Sequence, residues 1–397
     1  MAIQTGVGLK VAYKKQVAAG TLPTNDSTAK YLRRLSSSLS LSKSAIRSEE
    51  LRSDYQRADV RHGMRSVGGD LSGEFSVGSY ADFIASALRK NFATVPNLSA
   101  LTNVTATVAA PQFVRATGSW ITDGLRVGMV IRMTGWTTTG VDNNNKNFTI
   151  VALTATGITV AETVVAKTAG DSVVVTIPGK VTYAPGSAHT ADAYAIEHWA
   201  PEAAQSHRFL DCKVNSVGIA LPANEKAQIT VGFMGLDRQA AGTQYFSSAS
   251  AASTSPMLTG LSGALFVQGA AVALIENAQL NIGGNMATAG VVGSNKSPDV
   301  FPGPIDVGGQ MTVLFQDGVF DGYFDNETPI SLVLRLNADT LAAGDFVTFT
   351  LPRIKLSGGS YQDNPQAMRQ QFEFTAIKGD GTAGFEASTM QVQDSLA

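Results

Sequence analysis

Apolar and polar residues alternate along several short segments of this chain, which is the pattern of half-buried β-strands. The first such segment lies at 35–41, where leucines alternate with serines. Runs at 213–221 and 228–234 flank a Pro-Ala-Asn-Glu-Lys turn and predict a hairpin. A second hairpin is predicted near the C-terminus, from strands at 353–356 and 371–377. The chain is therefore expected to be mainly β.

One segment has the spacing of an amphipathic helix instead. Apolar side chains recur every three or four residues over 80–90, with Ser79 as a possible N-cap and Asp82 in the first turn. This segment follows a predicted strand at 67–76, which begins with Val-Gly-Gly. The pattern therefore predicts a strand followed by a short helix.

The strand and helix have a counterpart 240 residues later in the chain. Eight identical residues, four of them glycines, coincide between 59–80 and 299–320 without a gap. Glycines at fixed offsets mark backbone positions that only glycine fills easily, so both copies are expected to bend alike. Gly322 and Pro329 interrupt the second helical segment, which predicts a shorter helix there. The duplicated structural glycines are Gly63, Gly68, Gly69, Gly78, Gly303, Gly308, Gly309 and Gly318.

The first copy contains a long insertion. Matching Val214 to Ile354 or Leu356, and Val231 to Phe374, gives an offset near 140 between the hairpins that end the two copies. The difference from 240 leaves about 100 additional residues between about 95 and 195. Short runs rich in Val, Ile and Thr predict a small β-sandwich or barrel in this stretch. They lie at 127–133, 148–153, 158–160 and 173–177, with turns at 142–145 and 156–157.

These patterns divide the chain into five parts. We expect an N-terminal arm, a discontinuous first repeat domain, an inserted β domain, a linker of small residues and a second repeat domain with a polar tail. Their bounds are 1–29, then 30–95 with 195–240, then 96–194, 241–259 and 260–397. A chain with two versions of one fold unit can complete a ring with half the usual number of subunits.

The charges of the chain are few and unevenly placed. Charged residues make up 16% of the sequence and the net charge is −2, so the whole chain lacks the basic character of a tight nucleic-acid binder. Ten charges of both signs nevertheless fall within the 23 positions of 43–65. Two interpretations remain open for this segment: a solvated loop, or a loop that docks on another subunit through complementary charges.

Motifs for catalysis, cofactors or metals are missing from the sequence. The four histidines do not have metal-ligand spacing, and the segment 142–147 resembles a calcium loop only until Lys146 replaces a ligand. Cys212 lies in a strand-like run and is expected to be a small buried side chain. We predict neither an enzyme nor a cofactor, and we expect no signal peptide and no membrane span.

Three segments resemble the major tail tube proteins of long-tailed, siphovirus-type bacteriophages. The similarity is good over 1–90 and looser over 205–240 and 260–380, while the inserted stretch is outside the minimal family pattern. The segments that carry the resemblance are 1–14 (beginning Met-Ala-Ile-Gln-Thr-Gly-Val-Gly-Leu-Lys), 32–41 and 48–80.

The resemblance implies a fold and an assembly. The fold would be mainly β, with two tandem tail-tube β-barrel or sandwich domains, each with a short helix, and the inserted small β-sandwich or barrel domain. Rings would stack into a hollow tube for double-stranded DNA, with three duplicated chains completing a pseudo-sixfold ring and a hexamer as the alternative. The low charge suits a wall that must not hold phosphate.

The resemblance also implies contacts and partners. The charged loop would bridge stacked rings, and the inserted domain would decorate the outside of the tube. The partners would be further copies of the chain, the tape measure protein, tail-end proteins and, transiently and non-specifically, double-stranded DNA, in a virion tail assembled in the bacterial host cytoplasm. The inter-ring contact residues would be Arg47, Glu49, Glu50, Arg52, Asp54, Arg57 and Asp59.

Three other functions are compatible with the composition. A tail fibre or adhesin-type binding module has a similar β-rich, Ser/Thr/Gly-rich sequence, although no trimer-forming repeat is seen here. A glycan-degrading tail enzyme needs a carboxylate pair in a cleft. The tube of a contractile secretion apparatus is a structural relative of the phage tail tube.

Overall fold

The computed structural model describes residues 3–137, 143–272, 275–316, 318–362 and 367–397. The fold is mainly β, with 47% strand and 5% helix, which confirms the expected fold class. Its antiparallel sheets are of the sandwich type, and the strands in these ranges form no closed barrel. Four residues named in the sequence patterns, Met1, Ala2, Asp142 and Asp317, lie outside the described residues.

The first half of the chain begins with five strands and a helix. These are β1 (Lys10–Lys15), β2 (Lys30–Tyr31), β3 (Ser36–Ser37), β4 (Ser40–Arg47), β5 (Val60–Glu74) and α1 (Ala81–Leu88). Seven short strands follow and form a sheet of their own, in the order β6-β12-β9-β10-β11-β8-β7. They are β6 (Leu98–Leu101), β7 (Val104–Thr107), β8 (Gln112–Arg115), β9 (Val130–Thr134), β10 (Asn147–Leu153), β11 (Gly157–Val160) and β12 (Val173–Thr176).

The chain then returns to the large sheet. The strands that complete the first half are β13 (Lys180–Tyr183), β14 (Tyr194–Ala200), β15 (Gln205–Pro222), β16 (Gln228–Gly235) and β17 (Asp237–Ala241). A 3₁₀ turn at Gly260–Ser262 opens the second half. Its elements are β18 (Gly263–Val267), β19 (Ala270–Ala271), β20 (Ile275–Gly283), β21 (Ala287–Thr288), β22 (Val300–Phe301), β23 (Asp306–Leu314), α2 (Val319–Asp325), β24 (Ile330–Asn337), β25 (Phe346–Gln362), β26 (Arg369–Ala376) and β27 (Gln391–Asp394).

The two halves have the same strand order. In the first half the order is β2-β1-β14-β15-β16-β5-β4. In the second half it is β19-β18-β24-β25-β26-β23-β20. β17 pairs with β15 as β27 pairs with β25, and each helix follows the equivalent strand, α1 after β5 and α2 after β23. Two tandem copies of one fold unit are therefore present, as the repeat predicts.

Strand register agrees with the offsets read from the sequence. Gly69 faces Phe233 in the first half, and Gly309 faces Phe374 in the second. Phe233 and Phe374 are 141 positions apart, close to the expected 140. Val214 faces Phe233, and Leu356 faces Phe374, so Leu356 is the counterpart of Val214.

The hydrophobic core is shared between the halves. One cluster of buried side chains includes residues of β5, β15, β23 and β25, while the seven-stranded sheet has a separate core around Trp120, Phe113 and Phe148. The large core is organised around α1, where the ring of Phe83 contacts those of Tyr194 and Phe233. Cys212 is fully buried, as expected, and burial raises the pKa of its thiol.

Three segments differ from the sequence-based expectation. The expected polar C-terminal tail contains β27, whose four residues are all buried because it pairs with β13 and β25. The expected N-terminal arm contains β1, whose Val11 and Tyr13 are buried, because β1 pairs with β14 along its whole length. The expected linker at 241–259 is anchored by Phe246 and Leu258, both fully buried between small residues. Three-residue apolar runs and isolated aromatic residues give little periodic signal. Their burial depends on partners that are distant in sequence, so it could not be predicted from the local pattern.

The seven-stranded sheet packs on the second half of the chain. Arg335 in β24 donates to the Thr149 hydroxyl at 2.7 Å and pairs with the Glu162 carboxylate at 2.5 Å. The Gln393 side chain in β27 accepts a hydrogen bond from the Val130 amide at 2.7 Å and donates to the Val130 carbonyl at 3.0 Å. The sheet is therefore docked through buried polar contacts and is more than a tethered appendage.

Candidate assembly surfaces

A long hairpin extends from the edge of the large sheet. It consists of β4 and β5, whose pairing ends at Arg47 opposite Val60, and of the segment 48–59 at its tip. Leu51 and Tyr55 in the tip are 104% and 99% exposed. An isolated two-stranded hairpin with both faces in water is marginally stable. The hairpin is therefore a surface that a partner can cover.

The structure places all seven predicted contact residues in this hairpin. Arg47 ends β4 and the others lie in the tip, where Arg52 pairs with Asp54 at 3.0 Å. That hydrogen bond lowers the pKa of Asp54. Asp59 pairs with Arg61 at 2.8 Å. Within the described ranges, the remaining four make no ion pair; they are Arg47, Glu49, Glu50 and Arg57.

Apolar residues in the same hairpin were not part of the sequence prediction. Ile46 and Val60, on neighbouring strands, are more than half exposed, and Leu51 and Tyr55 are fully exposed. Four apolar side chains among mixed charges are typical of an interface in which charges orient the partner and apolar groups supply affinity. Their spacing, with two of them in an irregular tip, gives no period from which they could have been found.

The base of the hairpin is fixed to the body. Arg65 donates to the Asp237 carboxylate at 2.8 Å, and Lys296 contacts the other oxygen of that carboxylate. The Arg65 amide also donates to the Asn295 carbonyl at 2.8 Å. These contacts hold the direction in which the hairpin leaves the sheet.

The equivalent segment of the second half folds back. It joins β20 to β23 and includes β21 and β22. Lys213 of β15 pairs with Asp299 at 2.8 Å and donates to the Val300 carbonyl at 2.8 Å. Arg89, just after α1, donates to the carbonyls of Gly284 and Gly303 at 3.0 and 2.6 Å. The second-half copy of this segment therefore packs against the body of the chain, while the first-half copy, the hairpin tip, is exposed.

The second glycine of each repeated Gly-Gly pair lies under a neighbouring strand. A Cβ added at Gly69, whose φ is +141°, would lie 2.5 Å from the Ser38 carbonyl oxygen. A Cβ added at Gly309 would lie 2.1 Å from the Gln279 carbonyl oxygen. The same close approach therefore occurs in both halves, on β3–β4 and on β20.

The other duplicated glycines have varied surroundings. A Cβ at Gly303 would lie 2.2 Å from a backbone oxygen, at Gly63 2.5 Å from the Ser44 hydroxyl, and at Gly308 3.0 Å from a backbone oxygen. Gly78 has a φ of +75°. Nothing lies within 4 Å of an added Cβ at Gly68 or Gly318. Their assignment as structural glycines stays a prediction.

One face of the large sheet is polar across seven strands. Residues opposite each other on β5, β16, β15, β20, β23, β26 and β25 form continuous rows. One row is Ser72, Thr230, Gly218, Asn281, Gly308, Thr375 and Lys355. The next polar row is Glu74, Gln228, Ala220, Gln279, Gln310, Glu373 and Ser357.

The row between them points into the core. It contains Ile229, Ile219 and Leu280, all buried, and continues through Gly309 to Phe374. The sheet therefore has an apolar inner face and an outer face of mostly uncharged Ser, Thr, Asn, Gln and Gly, with two carboxylates and one lysine in the two rows.

Other kinds of site are not indicated by the described residues. In the part of the chain that the structure describes, no three His, Cys, Asp or Glu side chains are grouped so that they could hold a metal ion. Neither helix within the described ranges has the length and apolar character required to cross a membrane.

Comparison with known proteins gave one match. A family model described as phage tail tube protein matches residues 6–376. No curated protein matches the chain.

Proposed function

The chain belongs to the phage tail tube protein family and is a structural component of the virion tail, and from this premise we propose how it builds the tube. Three chains form a ring in which their six repeat domains alternate around one axis. Rings stack into a hollow tube through which double-stranded DNA passes during ejection. The observation that carries this proposal is the identical strand order of the two halves. Equivalent halves can occupy equivalent positions, and a head-to-tail contact between them closes into a ring.

The polar face of the large sheet lines the lumen. Its rows offer hydroxyl, amide and backbone groups, and Lys355 pairs with Glu327 at 3.0 Å. Each cation that contacts a phosphate adds a salt-dependent term to the affinity for DNA. A wall of uncharged side chains with a few carboxylates, such as Glu74 and Glu373, therefore lets DNA slide without retention.

The hairpin of β4 and β5 bridges stacked rings. Its exposed apolar side chains need a cover, and its four residues without an ion pair in the described ranges offer charges of both signs to the next ring. The support for this assignment is the exposure of the tip together with the fixed base at Arg65 and Asp237. The Arg52–Asp54 pair inside the tip and the Asp59–Arg61 pair between the tip and β5 hold the shape of the tip before contact.

The inserted domain decorates the outside of the tube. It packs on β24 and β27 and is separate from the polar rows, which supports a position away from the lumen. We further propose that the tube contacts the tape measure protein and tail-end proteins and assembles in the host cytoplasm, as expected for this family. The domain bounds predicted from the sequence belong to this proposal.

The decisive experiment replaces the hairpin tip. Because the Ser48 amide donates to the Asp59 carbonyl at 3.0 Å, this pair can close a two-residue turn, and Asn-Gly can substitute for residues 49–58 without changing strand register. We expect this variant to form single rings with threefold symmetry, seen in electron micrographs, that do not stack into tubes. Sixfold rings of separate chains would contradict the ring proposal.

A matched control separates the tip's charges from its apolar groups. The variant Arg52→Ala with Asp54→Ala removes one internal ion pair but keeps Leu51 and Tyr55. We expect it to form tubes, more slowly at low salt. Tubes of normal length from the Asn-Gly variant would show that the hairpin does not bridge rings.

A further inference from the structure

The two halves of one chain are joined by a strand pairing that can serve as a template. The C-terminal part of β15 pairs antiparallel with β20, from Ser216 opposite Gly283 to Pro222 opposite Asn277. Within it, Gly218 faces Asn281. This pairing makes one continuous sheet from the first half to the second.

The first half contains an exposed counterpart of β20. Asn281 faces Gly308 on β23, and Ser40 faces Gly68 on β5. Since Gly68 and Gly308 are the equivalent repeated glycines, β3 and β4 are the counterpart of β20. On its outer edge, however, β4 pairs with no strand in the described part of the chain.

The second half contains an exposed counterpart of β15. Gly218 faces Thr230 on β16, and Ser360 faces Gln371 on β26. Thr230 and Gln371 are 141 positions apart, the offset that relates β16 to β26. Ser360 is therefore the counterpart of Gly218, and the end of β25 that contains it corresponds to the part of β15 that receives β20.

Side chains at the end of β25 and in α2 are more exposed than their counterparts in β15 and α1. This is expected if a strand that covers the first half is missing from the second half. Ile219 lies opposite Leu280 and is 2% exposed, whereas Tyr361, which follows Ser360, is 50% exposed. The same holds for the helices: most of α1 is buried, while α2 contains no buried residue and exposes Val319 and Phe324. The second half thus lacks the cover that β20 and its following segment provide to the first half.

Resting on the proposed ring, we infer that β3–β4 of one subunit pairs antiparallel with the end of β25 in the next subunit, in the register of the internal junction. Ser40 then faces Ser360, Leu41 faces Gly359, and Leu39 faces Tyr361. The partner is a second copy of this chain, and each ring alternates internal and external junctions of the same kind. The pairing provides hydrogen-bond partners for the outer edge of β3–β4 and for the end of β25. Unpaired strand edges promote aggregation, so the pairing removes that hazard.

Charge at this junction is complementary. Each helix is followed by a residue with positive φ, Arg89 directly after α1 and Glu327 two residues after α2. The amide of each donates to the carbonyl three residues back. Arg89 contacts the Gly284 carbonyl, and register makes Lys43 the counterpart of Gly284. At the external junction the carboxylate of Glu327, 79% exposed, therefore meets Lys43, which forms no ion pair within the described ranges.

A disulfide tests the register. Directly opposed residues of a non-hydrogen-bonded antiparallel pair have Cβ atoms about 4.5 Å apart, which a disulfide can span. The internal counterpart, Gly218 opposite Asn281, is such a pair, because the ladder hydrogen bonds fall at Asn215–Gly284 and Ala223–Glu276. In Ser40→Cys with Ser360→Cys we expect oxidation of assembled protein to give covalent trimers as the end product on a non-reducing gel. Cys212 is buried and does not compete. The control pairs Ser40→Cys with Ser357→Cys, which moves one thiol by three residues, or about 10 Å along the strand, and is expected to remain monomeric.

The outcomes separate this inference from the proposed function. Tubes that assemble from the variant with Ser40→Cys and Ser360→Cys but do not cross-link would refute the pairing and leave the tube intact. Equal cross-linking in the control would refute the register. Wild-type protein that forms neither rings nor tubes would instead refute the proposed function.

A charge exchange provides a second measurement that does not need cysteine. Glu327→Lys is expected to raise the protein concentration needed for assembly by about two- to fivefold, the effect of one exposed ion pair. Adding Lys43→Glu should restore assembly, because the pair is then reversed. If Glu327→Lys acted only by breaking the internal pair with Lys355, adding Lys43→Glu would not restore assembly. A double variant whose defect is the sum of the two single defects would therefore refute the contact between Glu327 and Lys43.

Discussion

Removing the Arg335 side chain is expected to loosen the inserted sheet from the second half. Arg335 is 8% exposed and reaches Glu162, 32% exposed, across the boundary between β24 and the inserted sheet. It also donates to Thr149 and, through Nε, to Asn337 at 2.8 Å. Arg335→Ala leaves the Glu162 carboxylate without a cation, with only the hydrogen bonds from the Thr149 amide and hydroxyl, and creates a cavity in a tightly packed boundary.

The size of the effect follows from burial. Breaking a fully buried ion pair costs about 3–5 kcal/mol. Glu162 is about one-third exposed and regains part of its hydration, so we expect the free energy of unfolding to fall by about 2–3 kcal/mol. Trp120 and Trp136 are buried in the inserted sheet, so tryptophan fluorescence during urea denaturation reports this change directly.

A matched variant uses an exposed pair of the second half. Lys355→Ala breaks the contact with Glu327, whose side chain is 79% exposed, and should change stability by no more than about 0.5 kcal/mol. A loss below about 0.5 kcal/mol for Arg335→Ala as well would refute the reasoning, because the inserted sheet would then not depend on this buried contact.

Two further predictions concern pH and backbone strain. Burial raises the pKa of Asp394 from 3.8 to about 6, so the folded state binds more protons between these values and stability falls as pH rises from about 4 to 6. Asp394→Asn should flatten this slope, and its gain at about pH 7.5 should stay below about 3 kcal/mol, because the Asn side chain can accept only one of the two amide hydrogen bonds that the carboxylate receives from Gly78 and Leu396. An unchanged slope of the urea midpoint between about pH 4 and 6 would contradict the assignment. Gly69→Ala should lose about 2–3 kcal/mol in thermal unfolding, because φ is +141° and the Ser38 carbonyl is close. Gly68→Ala, with open space around the new methyl group, serves as its control, and similar losses would contradict the steric account.

The repeat was readable from sequence because steric demands on glycine are local. The close approach at Gly69 and Gly309 admits no side chain in either half, so both copies retain the residue in the same position of the strand. The strand and helix after it have short-range periodicity as well. These signals sufficed for the fold class and for the offset between the hairpins.

Features that depend on contacts between residues distant in sequence could not be predicted from the sequence. β1 contains only three buried residues in sequence, and it is a core strand because β14 pairs with it. The docking of the inserted sheet rests on Arg335 and Gln393, two polar residues in β24 and β27, which the sequence pattern did not predict as strands. The charged tip was found by its composition, whereas Leu51 and Tyr55 lack any period that would separate them from a core strand.

Duplication changes the energetics of the proposed ring more than its geometry. Association of separate subunits costs about 4–15 kcal/mol of translational and rotational freedom at each step. In a chain whose β15 and β20 are already paired, every second junction forms within the molecule during folding. Only the junctions between β25 and the next β3–β4 then depend on concentration. The second-half segment 284–305 folds back onto the first half, while the first-half tip stays exposed. One copy therefore seals the internal junction, and the other is the one available for the proposed contact with the next ring.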